Sequence, residues 1–182
     1  MRCIERHGAT NTTMEDVAAE TGMVRKTVYL AFGNRTALLD AVLMQRVGIN
    51  VEQVQRLVAG CKTLDEAIVK GCIRHLQLLR KDKVLISISE NAHGKDAERF
   101  LTGPTSPVLD MMLTIWREAF AAARSRGELR TDLDDIEIAN WLRGVLSILL
   151  SRTDLSPGGQ EDLLRKFVLP VLRQSATATG YR

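Results

Sequence analysis

The sequence predicts an all-α chain in which a small N-terminal three-helix unit precedes a larger helical domain. Apolar residues recur near the helical period of about 3.6 through most of the 182 residues. Leu, Ile, Val and Ala supply most of the 45% hydrophobic content, aromatics reach only 4%, and just four prolines interrupt the chain. The breaks that do occur, at Gly8, Gly22, Gly33–Asn34, TGPTSP and DLSPGG, leave segments of helical length between them. The expected division is 1–46 for the small unit and 47–182 for the larger one.

The opening MRCIERH reads as the last turns of a helix stopped at Gly8, which tolerates the left-handed conformation of a helix end. So short a helix is marginal on its own, and the chain is expected to begin inside its first helix. In TTMEDVAAETG, Thr12 or Thr13 can cap a helix, with Glu15 or Asp16 placed to return the bond in a capping box. Gly22 then permits a tight turn before VRKTVYLAF, a second short helix with Val24 and Val28 on one side. Two short helices joined by a glycine turn read as a helix-turn-helix. Phe32 is expected to be buried as the anchor between helices.

After Gly33 and Asn34, Thr36 to about Ala59 reads as one long helix with Leu38, Leu39, Val42, Leu43 and Val47 in period. Its length suits a bridge between domains. Thr63 can cap the next helix, Leu64 to Leu79, whose first-turn Asp65 and Glu66 favour the helix dipole and whose stripe is Ile68, Cys72, Leu76 and Leu79. Lys83–Asn91 and Lys95–Leu101 follow as shorter helices; Val84, Leu85, Ile86 and Ile88 also fit a strand, but no partner strand is in sight. Ser106 and Pro107 open a long helix ending near Arg126 and Gly127. The last two helices run from Asp134 to about Arg152 and from Gln160 to about Arg173, with Pro170 expected to kink or loosen the second.

Charge and composition exclude several function classes. The net charge of +3 does not by itself announce a nucleic-acid partner, so any such contact needs a local cluster. One exists: Thr21 to Leu39 holds Arg25, Lys26 and Arg35 and no acidic residue. Cys3, Cys61 and Cys72 lack metal-ligand or disulfide spacing, as do His7, His75 and His93, so neither a metal nor a cofactor is expected. No Gly-rich phosphate loop or nucleophile motif suggests an enzyme. No apolar run reaches the roughly 18 residues of a membrane span, and no signal segment opens the chain, so the expected setting is the cytoplasm.

The run TTMEDVAAETGMVRKTVYLAFGNRTALLDAVL, residues 12–43, resembles the DNA-binding region of the TetR family of repressors. The match combines a capped helix ending in Ala-Glu-Thr-Gly with Thr27, Tyr29 and Phe32 at family spacing and Arg35 opening the next helix. GELRTDLDDIEIANWLRGVL, 127–146, is similar to the approach to the penultimate helix of many members. Three positions depart from the commonest pattern: Val24 stands where a capping Ser is frequent, Lys26 where a small residue is usual, and Ala31 where an aromatic or His often touches phosphate. The resemblance implies a dimeric regulator that binds a double-stranded operator and releases it when a small molecule enters the helical domain.

A helix N-terminus presenting Arg25, Lys26 and Thr27 suits the major groove, where Arg and Lys pair with guanine O6 and N7. Thr27 and Tyr29 can add phosphate or thymine-methyl contacts, and Thr13 and Arg35 sit where family positions meet backbone phosphates. A two-fold dimer places its reading helices roughly 34–36 Å apart, or further for a longer site, so the operator should be an inverted repeat. The resemblance implies an effector pocket in the middle helices. Residues pairing apolar bulk with a polar handle are its candidates: His75, Phe100, Met111, Met112, Trp116 and Trp141, with an apolar or aromatic effector as the class they suit. Leu142, Val145, Leu146, Leu149, Leu164, Phe167, Val168 and Val171 exceed what one core contact needs and are expected at a homodimer interface. The long helix from Thr36 is the expected lever between effector and DNA. The rival reading is a helical dimer of the same fold that binds a ligand or protein without DNA.

Overall fold

The computed structural model describes residues 2–91 and 107–174. These form helices joined by short turns and loops, with one isolated antiparallel bridge between Leu129 and Arg173. In chain order the helices are α1 (Arg2–Asn11), α2 (Met14–Thr21), α3 (Arg25–Phe32), α4 (Arg35–Ala59), α5 (Leu64–Lys81), α6 (Lys83–Asn91), α7 (Pro107–Ser125), α8 (Asp135–Ser151), α9 (Pro157–Leu163) and α10 (Leu169–Leu172). A π-helical turn, Leu164–Val168, joins the last two. The helix expected at Lys95–Leu101 lies outside the described residues. Two compact units emerge, Met1–Asn50 with Leu78–Val108 and Val51–Gln77 with Leu109–Arg182, so α4 and α5 each contribute to both.

In the first unit, Met14, Ala18, Val28 and Leu38 form a small core against which Val17 and Phe32 pack. Gly8 does take a positive φ of 75°, but another helical turn follows it, so the stop expected there is a kink within α1. Two side chains hold that kink: Thr12 Oγ1 donates to the Gly8 carbonyl at 2.8 Å, and Ser87 Oγ on α6 accepts the Ala9 N–H at 2.7 Å. Arg2 and Arg6 both pair with Glu20, tying α1 to the end of α2.

A second fixture of this unit is Asp82, which is buried at the α5–α6 corner. Its carboxylate caps α6 by accepting the Val84 and Leu85 N–H groups at 3.1 Å, and it receives the Arg46 guanidinium at 2.8–2.9 Å from α4. A buried carboxylate needs such partners, because uncompensated charge in an apolar interior costs several kcal/mol.

In the second unit, Ile68, Cys72 and Leu76 of α5 are buried, as are Ile115, Trp116 and Phe120 of α7. Burial pushes the Cys72 thiol up to about 12, which makes it an inert filler. Trp116 and Phe120 stack with ring centres 6.0 Å apart, and the Trp116 ring lies over Gly71 so closely that a Cβ there would sit 2.6 Å from Cη2. Glu128 accepts the Leu64 N–H at 2.7 Å, closing the start of α5 from 64 residues away. The π turn precedes Pro170 by two residues. Proline cannot donate to the helical ladder and its ring crowds the carbonyl four residues back, so the widened turn is where the expected loosening occurs.

Candidate nucleic-acid interface

The interface is built on α2 and α3. Thr13 caps α2 by accepting the Asp16 N–H at 3.1 Å, and the Asp16 carboxylate returns the bond to the Thr13 N–H at 2.9 Å. The Thr13 hydroxyl also donates to the Asp16 carboxylate at 2.7 Å, and this bond, with the one from the Thr13 N–H, holds the Asp16 carboxyl below its ordinary pKa. Gly22 ends α2 in the left-handed region at φ 67°, its N–H reaching the Ala18 and Ala19 carbonyls. That conformation is open to Gly at no steric cost, and it turns the chain into α3 within three residues.

Val24 occupies the N-cap of α3 and has no side chain able to accept a bond, so the departure noted in the sequence is real in the structure. Along α3 only Val28 is buried; Arg25, Lys26, Thr27, Tyr29, Leu30 and Ala31 are all exposed. The helix end carries no acidic side chain of its own. Among the described residues nothing pairs with Lys26, which leaves its ammonium available to a partner. Arg25 is held differently: it pairs with Glu15 of α2, and its guanidinium lies 5.5 Å from the centre of the Tyr29 ring.

Arg35 behaves unlike a side chain waiting for phosphate. Its Nε donates to the Thr12 carbonyl at 2.8 Å, and its Nη2 donates to the Ala9 and Thr10 carbonyls. The guanidinium therefore closes the end of α1 and fixes the entry to α2, with only the Nη1 edge left without a bond in that set. The first residue of α4 was legible as basic; that three carbonyls converge on it was not, because they come from 23 to 26 residues upstream. Asn34 caps α4 by accepting the Ala37 N–H at 2.9 Å. Glu15, which neutralises Arg25, and Leu30, 77% exposed, are the two features of this surface that the sequence reading passed over.

In the second unit, His75, Met112 and Trp116 are buried and Met111 is half-buried. The His75 Nδ1 and the Trp116 Nε1 are buried and find no hydrogen-bond partner among the described residues. Burial pulls the His75 pKa down to about 4, so its ring is neutral at physiological pH. Trp141 stands apart from this group, 49% exposed on the outer face of α8, where it cannot line an interior site. Phe100 lies outside the described residues. A groove of about 680 Å³ is lined by Arg124 and residues 131–137 and includes none of the expected pocket residues.

Among the residues expected at a dimer interface, Leu142, Leu146, Leu149, Leu164 and Val168 are buried within the chain's own core. A side chain already out of water has no area to give a second copy. The large apolar side chains left outside are Ile136, Trp141, Ile148 and Leu150 on α8 and Phe167 and Val171 near the C-terminal end, with Val145 half-buried. The reason is that α8 is apolar on nearly every side, and such a pattern marks no single inward face.

Residues 1–42 match the family described as bacterial regulatory proteins, tetR family. That match spans 42 of the 182 residues, the segment that holds α1, α2 and α3. Solved structures agree on the fold across the whole length. The TetR family repressor AlkX from Dietzia sp., implicated in biodegradation of n-alkanes, superposes with a TM-score of 0.62 at 19% identity, covering 94% of this chain and 91% of that one. A structure described as giving the molecular basis for control of antibiotic production by bacterial hormones superposes with a TM-score of 0.61 at 19% identity, covering 94% and 92%. At that identity the likeness is one of fold. A search of curated proteins finds no significant match. No helix among the described residues is long and apolar enough to cross a membrane, and no group of three or more His, Cys, Asp or Glu among them could hold a metal ion.

Proposed function

We propose that this chain is a ligand-responsive repressor of the TetR family that binds an inverted-repeat operator as a homodimer and leaves it when a small molecule binds the second unit. The observation that carries the reading is the α2–Gly22–α3 turn within the family-matched residues, which presents an exposed helix bearing Arg25, Lys26 and Thr27 and no acid. In this reading Lys26 and Thr27 meet base edges, Arg25 exchanges Glu15 for DNA, Tyr29 and Thr13 meet phosphates, and the open edge of Arg35 meets a further phosphate. Phosphate contacts release condensed counterions, so affinity must fall steeply with salt.

Two buried polar atoms support an effector site in the second unit. Leaving a donor or acceptor unpaired in the interior costs about 1–3 kcal/mol, so the unpartnered His75 Nδ1 and Trp116 Nε1 suit a mostly apolar effector carrying a polar atom to meet them. An effector that prefers a state poorly matched to the operator weakens DNA binding by the factor by which DNA weakens effector binding. For the homodimer, the exposed Trp141, Ile148, Phe167 and Val171 supply the apolar surface.

The rival reading, a dimer of this fold that binds a ligand or protein partner without DNA, draws on the engagement of Arg25 by Glu15 and of Arg35 by the α1 carbonyls. Electrophoretic mobility shift on DNA flanking the chain's own gene, against shuffled competitor and at two salt concentrations, separates them. A specific, salt-sensitive shift is the expected result; absence of any shift overturns the repressor reading in favour of its rival.

A further inference from the structure

On α3 the apolar residues divide sharply. Val28 is 1% exposed and Phe32 packs on the same small core, whereas Leu30 stands 77% exposed and Val24, just before the helix, 72%. Leu30 adds nothing to the core of its unit. A single exposed leucine is ordinary on a protein surface, so exposure alone decides nothing. Its position decides more. Side chains three and four apart share a helix face, which puts Leu30 beside Thr27 and Lys26 and opposite Val28. Leu30 is thus at the middle of the outward face of the helix whose start carries the unpaired Lys26. Val24 adds a second apolar group at that start, where a polar side chain would cap the helix.

Major-groove base edges offer hydrogen-bonding groups to polar side chains and one apolar group, the 5-methyl of thymine. A leucine flanked by Lys and Thr on a groove-facing helix can recognise only the methyl, since it has no donor or acceptor for the rest. We propose that Leu30 is a specificity-determining residue that packs on a thymine 5-methyl group, fixing a T·A pair in each half of the operator. The assignment rests on the DNA-binding reading above.

The test begins by selecting DNA from a random duplex pool with the full chain. In the selected site each thymine is replaced in turn by deoxyuridine, which keeps every hydrogen-bonding group and removes only the methyl. Binding is measured by fluorescence anisotropy for the original chain, Leu30→Ala and Lys26→Ala. The expected result is one symmetry-related thymine per half-site at which deoxyuridine weakens binding about fourfold, the equivalent of about 0.8 kcal/mol for one buried carbon. Leu30→Ala removes that sensitivity and Lys26→Ala keeps it. A specific, salt-sensitive complex in which no thymine responds to deoxyuridine, or in which Leu30→Ala responds as the original does, overturns the role of Leu30 and leaves the repressor reading intact. Failure to select any DNA overturns both. Circular dichroism melting of Leu30→Ala, expected unchanged, separates lost recognition from lost folding.

Discussion

Burial strips His75 of water, and no described residue partners its Nδ1, so its titration bears on the stability of the whole chain. Its folded pKa of about 4 lies below the ordinary 6.5, so between those values the unfolded chain binds a proton that the folded chain refuses. Stability is therefore complete above pH 6.5 and is lost as pH falls towards 4, by as much as about 3 kcal/mol. Urea unfolding from pH 7.5 to 4 should show this slope in the original chain and a shallower one in His75→Leu; parallel curves would remove His75 as the cause. Val24 offers a second test at the same scale. Its backbone, at φ −68° and ψ 137°, already has N-cap geometry, and only the side chain lacks an acceptor. Val24→Ser should stabilise the chain by about 1 kcal/mol in thermal melts, since so exposed a valine gives up little burial.

At the level of elements, the close contact of α5 with α7 depends on one missing side chain. A Cβ at Gly71 would meet Trp116 Cη2 at 2.6 Å and Val58 Cγ2 at 2.8 Å, and neither an indole ring packed on Phe120 nor a β-branched valine can withdraw freely. Gly71→Ala should cost about 1–3 kcal/mol through overpacking, partly offset by about 1 kcal/mol of helix propensity. Adding Trp116→Leu should recover part of the loss, a non-additivity that denaturant unfolding of the single and double variants can read. Among the described residues helix existence was legible, because periodicity and caps are local: the turn at Gly22 and the breaks at Gly33 and DLSPGG fall where the sequence puts them, and of the capping pairs it offered Thr13 and Asp16 form the box. What the sequence could not show is which groups a polar side chain meets across the chain. Arg35 closes α1 and Asp82 joins α4 to the start of α6 through partners 23 to 36 residues away, a separation on which local pattern is silent.

For the molecule as a whole, the question is what covers its outer apolar face. The width of the apolar pattern on the last helices was correctly a sign of surplus, but a helix apolar all round carries no information on which residues are the surplus. Burial resolves it. Ile138, Leu142 and Leu149 point inward, while Trp141, Gly144 and Ile148, spaced by three and four, form the exposed side of α8. Gly144 has nothing within 4 Å of where its Cβ would be, and a glycine inside a helix forfeits up to about 1 kcal/mol relative to alanine. Flanked by an exposed tryptophan and an exposed isoleucine, it is the place where a second helix can approach α8 most closely. Phe167, 65% exposed, and Val171, 42% exposed, extend the apolar surface one turn apart on the C-terminal segment. If a second copy covers this face, a charge placed there must be desolvated in the dimer and not in the monomer, so Ile148→Glu and Phe167→Glu should each shift sedimentation from dimer to monomer at micromolar concentration. Leu142→Glu, by contrast, should unfold the chain, because it buries the same charge inside a single copy. Two soluble glutamate variants that remain dimeric would move the interface elsewhere, and with it the expectation that two α3 helices approach one inverted repeat together.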